Sequence, residues 1–203
     1  MAFKYSFEDI FIYIVILIIL FTLIKIYINS DAYNLKCIVS GVDGDTYCVR
    51  DRSNIHDAAD LLATVVTKCK NLVTYCGHKY PDNEAVQRLV QKFNPQKISE
   101  TLPNSEHTAY SENKGEKIAF CLNKIKSEES KLIDINTLTF VAIHELAHVM
   151  TKTEGHTLEY WGHFKFLLIQ AKEAGIYDPI DYKKNPEEYC GMTITDNPYY
   201  NHA

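Results

Sequence analysis

The chain has 203 residues, 23% of them charged, and a net charge of −5. Proteins that grip nucleic-acid phosphates without regard to sequence carry a basic excess, so this acidic balance argues against such a partner. The length allows one well-filled domain beyond a short terminal element, and no internal repeat or low-complexity tract divides it.

After a tail of residues 1–9, residues 10–28 are apolar except for Tyr13, Thr22, Lys25 and Tyr27. About 20 helical residues cross a bilayer core, and Lys25 can extend its amine to the interface. A cleaved signal peptide fits less well, because the stretch is too long for its apolar region and no small-residue cleavage site follows. A single-pass anchor is expected. Lys25 and Lys36 lie on its C-terminal flank, against Lys4, Glu8 and Asp9 on the other. That balance leans toward a cytosolic C-terminal domain. Six cysteines without tight framework spacing, and no Asn-x-Ser/Thr sequon, point the same way. Setting aside Lys4, Lys25, Glu8 and Asp9 leaves the charge of the remainder at −5.

Residues 29–34 read as a linker, and residues 35–174 as one domain. Leu35 to Ser40 and Asp45 to Arg50 predict a hairpin around Gly41-Val42-Asp43-Gly44. Residues 57–75 carry apolar side chains at helical period, with Cys69 on the stripe. A second helix is expected over 81–93, with Pro81 in its first turn and Val86, Leu89, Val90 and Phe93 inward. Short extended pieces follow to Leu122. Mixed charges at Lys114, Lys117, Lys124 and Lys126 against Glu112, Glu116, Glu128 and Glu129 read as solvated surface.

His144-Glu145-Leu146-Ala147-His148 spells HExxH. Two histidines four apart share one helical face, so both imidazoles can reach one metal ion, with Glu145 beside them to take a proton from water. Asn136 or Thr137 would cap this helix, and Glu154-Gly155 would end it. A catalytic zinc needs a third protein ligand and one open position. His156 leads the candidates, ahead of Glu159 one turn on and His163 two turns on along a helix over 158–174. Two turns rise about 10 Å, so His156 and His163 cannot both serve. Glu159 could instead orient a ligand imidazole, and His163 has an alternative as a partly buried ring beside Trp161 and Phe164. His56, His78, His107 and His202 are expected at the surface.

HELAH followed by Glu154-Gly155-His156-Thr157-Leu158-Glu159-Tyr160-Trp161 resembles the SprT and WLM branch of small zincin proteases. Residues 113–122 and 189–199 also resemble membrane-anchored members encoded by large DNA viruses. The resemblance spans most of the chain from about Leu35, although only the zinc motif is strongly diagnostic. It implies an α+β zincin-like domain with a small, mainly antiparallel sheet. It also implies Zn2+ held by His144, His148 and His156, Glu145 as general base, and a peptide substrate cut at a host or virion membrane. In related zincins an edge strand before the motif helix pairs with extended substrate. Lys117 to Leu122 is the candidate, unless it is the sheet's central strand. The DNA-binding and partner-binding modules that cellular members often carry are not recognisable here.

The segment 175–203 is rich in Tyr and Pro and is expected to wrap the domain as ordered coil. Tyr182 or Tyr189 could donate to a tetrahedral oxyanion. Met192 could floor the metal site, and Cys190 could cap the metal in a latent form; a core role competes for each. The rival functions are a structural membrane or virion protein with a closed zinc site, which needs a fourth ligand such as Cys190, and a protease acting on DNA–protein crosslinks.

Overall fold

A computed structural model describes residues 7–125 and 131–200. Residues 1–6 with Lys4, the charges at Lys126, Glu128 and Glu129, and His202 lie outside the described residues.

Helix α1 (Phe7–Ile28) is apolar on every face and none of it is buried. It is long and apolar enough to cross a membrane, a property it shares with signal sequences. The expected linker is partly helical: α2 (Asp31–Asn34) fills most of it and runs directly into β1 (Leu35–Val39). Strand β1 pairs antiparallel with β2 (Thr46–Arg50), as the hairpin reading predicts, with Cys37 opposite Cys48.

Helix α3 (Ile55–Lys79) runs about one turn past its expected end and buries Leu62, Val65, Val66, Cys69 and Leu72. Helix α4 (Glu84–Lys92) starts later than expected, because Asn83 caps it by accepting from the Ala85 and Val86 amides. Pro81 sits in the turn before it, and Val90 faces solvent rather than the core.

Strand β3 (Ile98–Glu100) runs parallel to β5 (Lys117–Phe120), and β4 (Ala109–Glu112) runs antiparallel to it. This sheet is therefore mixed, in the order β3-β5-β4. Strand β5 is its centre, so the edge nearest the motif helix is β4 instead. The β4–β5 turn passes close to helix α5 (Ile135–Met150). A Cβ on Gly115, whose φ is +104°, would stand 2.9 Å from Val149 Cγ1 and 3.0 Å from the Lys92 carbonyl. Only glycine fits there.

The cap of α5 is Asp134, not Asn136 or Thr137: its Oδ1 accepts from both of those amides. The helix ends at Met150, four residues before the expected Glu154-Gly155 stop. Thr151 closes it, its amide and hydroxyl both donating to the Ala147 carbonyl. Gly155 serves the following turn, with φ at +74°. Helix α6 (Leu158–Glu173), capped by Thr157, packs back along α5. Phe140 and Phe164 bury their rings against each other at 5.3 Å between centroids; a fully buried aromatic contributes about 1.5–3 kcal/mol.

The C-terminal segment is more regular than coil. Strands β6 (Glu187–Tyr189) and β7 (Met192–Ile194) form a hairpin turned by Cys190 and Gly191, both at positive φ, the geometry that tight two-residue hairpins require.

Two features were not legible in the spacing of residues. Cys37 pairs with Cys48 and Cys121 with Cys190 as disulfides. The cysteine argument for a reducing compartment therefore falls. Glu100, completely buried, accepts from the Arg50 amide at 2.7 Å and pairs with the guanidinium groups of Arg50 and Arg52. Arg52 also donates to Asn123 at 2.6 Å, so this ionic knot joins the first hairpin, the central sheet and the loop that holds the C-terminal hairpin. Glu100→Ala should lower unfolding free energy by about 3–5 kcal/mol, because it strands two buried cations; urea unfolding of the variant measures this.

Candidate metal centre

Helix α5 is almost wholly buried. His144 and His148 are half-buried on the side that opens to a cleft. The turn after Thr151 brings an exposed His156 over them. One ring nitrogen from each of the three histidines lies within 4.8 Å of the others, and His156 Nε2 stands 3.2 Å from His144 Nε2. Tetrahedral zinc with nitrogen ligands at 2.0–2.1 Å spaces them roughly 3.3 Å apart. One pair already has that spacing and all three nitrogens lie within 4.8 Å of one another, so the donor set fits a zinc ion.

The rings are held from behind by Tyr160. Its ring stacks on His148 at 4.3 Å between centroids and meets His156 at 4.7 Å and His144 at 5.3 Å. Tyr160 is fully buried, and its hydroxyl donates to the His144 carbonyl at 3.4 Å. The sequence reading passed over this residue. Its placement three residues after the Thr157 cap, facing back toward the motif helix, was the available signal.

Burial, helped by the neighbouring imidazoles, pushes the His144 pKa down to about 3. Burial and then His156 push His148 down to about 4. Both rings are thus neutral near pH 7, with lone pairs free for a cation. Glu145 is also buried, and burial alone lifts its pKa to about 8. A cation held by the histidines would add its own charge and draw that carboxyl back toward ionisation. A buried carboxyl with no compensating partner among the described residues is costly to fold, and groups perturbed in this way cluster at functional sites.

The remaining candidates lie elsewhere. The Glu159 carboxylate accepts from the Lys152 and Thr153 amides at 3.3 Å each, and from the Thr153 hydroxyl at 3.0 Å. It shapes the turn that carries His156 and lies outside the group of converging histidine nitrogens. His163 meets the Thr151 hydroxyl at 2.9 Å, away from the cluster. Tyr182 is buried against Phe140 at 5.0 Å between centroids, and Tyr189 donates its hydroxyl to the Thr108 carbonyl at 3.2 Å. The Tyr189 hydroxyl is thus committed, and Tyr182, whose hydroxyl has no hydrogen-bond partner among the described residues, lines neither hollow beside the histidines. Cys190 is bonded to Cys121 and cannot cap a metal, while Met192 is half-exposed in β7 and lines a hollow together with His144, Glu145 and His156. His56, His78 and His107 are exposed, as expected. Cys69 and Cys76 are buried thiols whose pKa burial raises to about 12, so they are poor nucleophiles.

A cleft of about 380 Å³ runs between the cluster and the edge strand β4, which lines it with Ala109, Tyr110 and Ser111. A second hollow of about 400 Å³ shares His144, Glu145 and His156. Its walls are mainly apolar: Phe140, Trp161 and Phe164 on the helices, and Met192, Ile194 and Pro198 from the C-terminal segment.

The chain is 28% identical over 192 residues to an uncharacterized protein of Acanthamoeba polyphaga mimivirus, covering 93% of this chain and 96% of that protein. It is 38% identical over 73 residues to an uncharacterized protein of Invertebrate iridescent virus 6, and 37% identical over 75 residues to one of Invertebrate iridescent virus 3. These matches cover 40% and 45% of the iridescent virus proteins. No family model matches the chain, and no solved structure does.

The ligand assignment separates cleanly by mutation. His156→Ala should weaken zinc binding by more than about 100-fold, beyond what loss of an outer-shell partner costs, whereas Glu159→Ala should still bind the metal. Zinc titration against a chromophoric chelator reads both.

Proposed function

We propose that this protein is a membrane-anchored zinc metallopeptidase of the zincin type. The observation that carries the reading is the convergence of three imidazoles beside a buried carboxyl with no partner among the described residues, in a cleft bounded by a strand edge. A zinc ion in such a site supplies an acidified water and a Lewis acid for the scissile carbonyl.

The protein's own residues account for the other requirements. His144, His148 and His156 would hold the cation on three sides and leave the cleft side open. Glu145 would take the proton from the attacking water and return it to the leaving amine. Along β4 the outer edge is unpaired among the described residues, so extended substrate can add to it through backbone hydrogen bonds that ignore side-chain identity. Selectivity would come from the apolar hollow, which suits a large apolar side chain next to the bond that is cut.

The structural-zinc alternative needs a fourth protein ligand. The cluster of the described residues holds three, and the sulfur of Cys190 is committed to its disulfide. The anchor in this proposal is α1. With a net charge of −5, nothing favours a nucleic-acid partner.

Glu145→Gln should keep full zinc content while lowering hydrolysis of an unfolded protein about 10²- to 10⁴-fold. Parallel loss of both metal and activity would contradict the role given to Glu145. Peptides with Phe or Leu beside the scissile bond should be cut at least about tenfold faster than those with Gly, and Ile194→Trp should erase that preference by filling the hollow. Mass-spectrometric mapping of cleavage sites in a peptide library tests both statements.

A further inference from the structure

The junction between α1 and the domain has no slack. Ser30 donates to the Tyr27 carbonyl at 2.7 Å, and Asn34 donates to the Ile28 and Ser30 carbonyls at 2.7 and 2.9 Å. Two further contacts fasten this turn to distant parts of the domain. Asn104 donates to Asn29 Oδ1 at 2.7 Å, and Lys117 pairs with Asp31 at 2.6 Å. Lys117 opens β5 and lies in register with Glu112 of the edge strand. It also adjoins Tyr110, which lines the cleft beside the histidines.

These links give a short path from the apolar helix to the cleft. Ile28 and Asp31 are three residues apart, at most about 11 Å. One lysine side chain and one strand spacing complete the route, so the edge of β4 lies on the order of 20 Å from the end of the apolar helix. A flexible tether would let the domain sample a far larger volume.

We propose that this rigid junction pins the cleft near the bilayer surface and makes the substrates juxtamembrane polypeptide segments, those directly flanking a membrane span. The proposal rests on the membrane-anchored peptidase reading above. An extended segment of roughly six residues covers 20 Å, so a chain emerging from the bilayer beside α1 reaches β4 almost at once. A site held 60 Å from the bilayer by a rigid support lies out of range.

The test reconstitutes the full chain in phosphatidylcholine vesicles with single-span reporters that present one unstructured cleavable segment on the same side. In one reporter the segment directly follows the span; in the other a helical spacer of about 40 residues, roughly 60 Å, separates them. The proximal reporter should be cut at least tenfold faster. Inserting the same spacer between Ser30 and Asp31 of the protease should reverse the preference, with unchanged cleavage of a soluble unfolded protein showing that the variant is folded. Equal cleavage of both reporters by the unaltered chain would overturn the proposal, as would cleavage of the soluble protein with neither reporter cut. If the soluble protein too is left intact, the peptidase reading itself fails.

Discussion

The stacking of Tyr160 among three imidazoles is the contact on which the site depends. Helix α5 can offer two histidines on one face without help, because four residues make about one turn. The third must come from a different segment and be held against solvent. Tyr160 does this with its ring on His148 and His156 and its hydroxyl on the His144 carbonyl. The Glu159 carboxylate braces the same turn from outside by accepting from the amides of Lys152 and Thr153. One helical turn of α6 thus fastens the exposed His156 from both sides. A ring-lined site prepared this way would lose little conformational freedom on taking up the proposed cation.

The rest of the fold supplies walls for that centre. Gly115 lets the β4–β5 turn pass against Val149 and the Lys92 carbonyl, which sets the edge strand beside the motif helix. The C-terminal hairpin closes the other side. Its turn residues donate from the Cys190 and Gly191 amides to the carbonyls of Asn123 and Lys124, and the Cys121–Cys190 disulfide fastens it. Asn123 in turn holds Arg52, which reaches the buried Glu100. The apolar hollow and the ionic knot are therefore parts of one connected structure, although their residues lie far apart in the chain.

The junction with α1 follows the same logic. A segment that composition marks as linker becomes ordered because its polar side chains find carbonyls and charges within reach: Asn34 on Ile28 and Ser30, Asp31 on Lys117. Order at this point decides whether the domain roams or stays in place, which is what gives the proposed anchor a consequence for substrate choice.

The sequence by itself determined the features written in local periodicity and spacing: the apolar helix, the first hairpin, the amphipathic stripe of α3, the pairing of His144 with His148, and the priority of His156. Those follow from i,i+4 geometry, alternation and a glycine near a turn, all properties of neighbouring residues. Only the tertiary structure decided the features that depend on residues distant in sequence. It made β5 central and β4 the edge, committed Cys190 to Cys121, turned Glu159 toward the backbone, and buried Tyr182 away from the cleft. Strand order, disulfide partners and the direction of a buried side chain are set by which surfaces meet when the core closes, and no local pattern encodes that meeting.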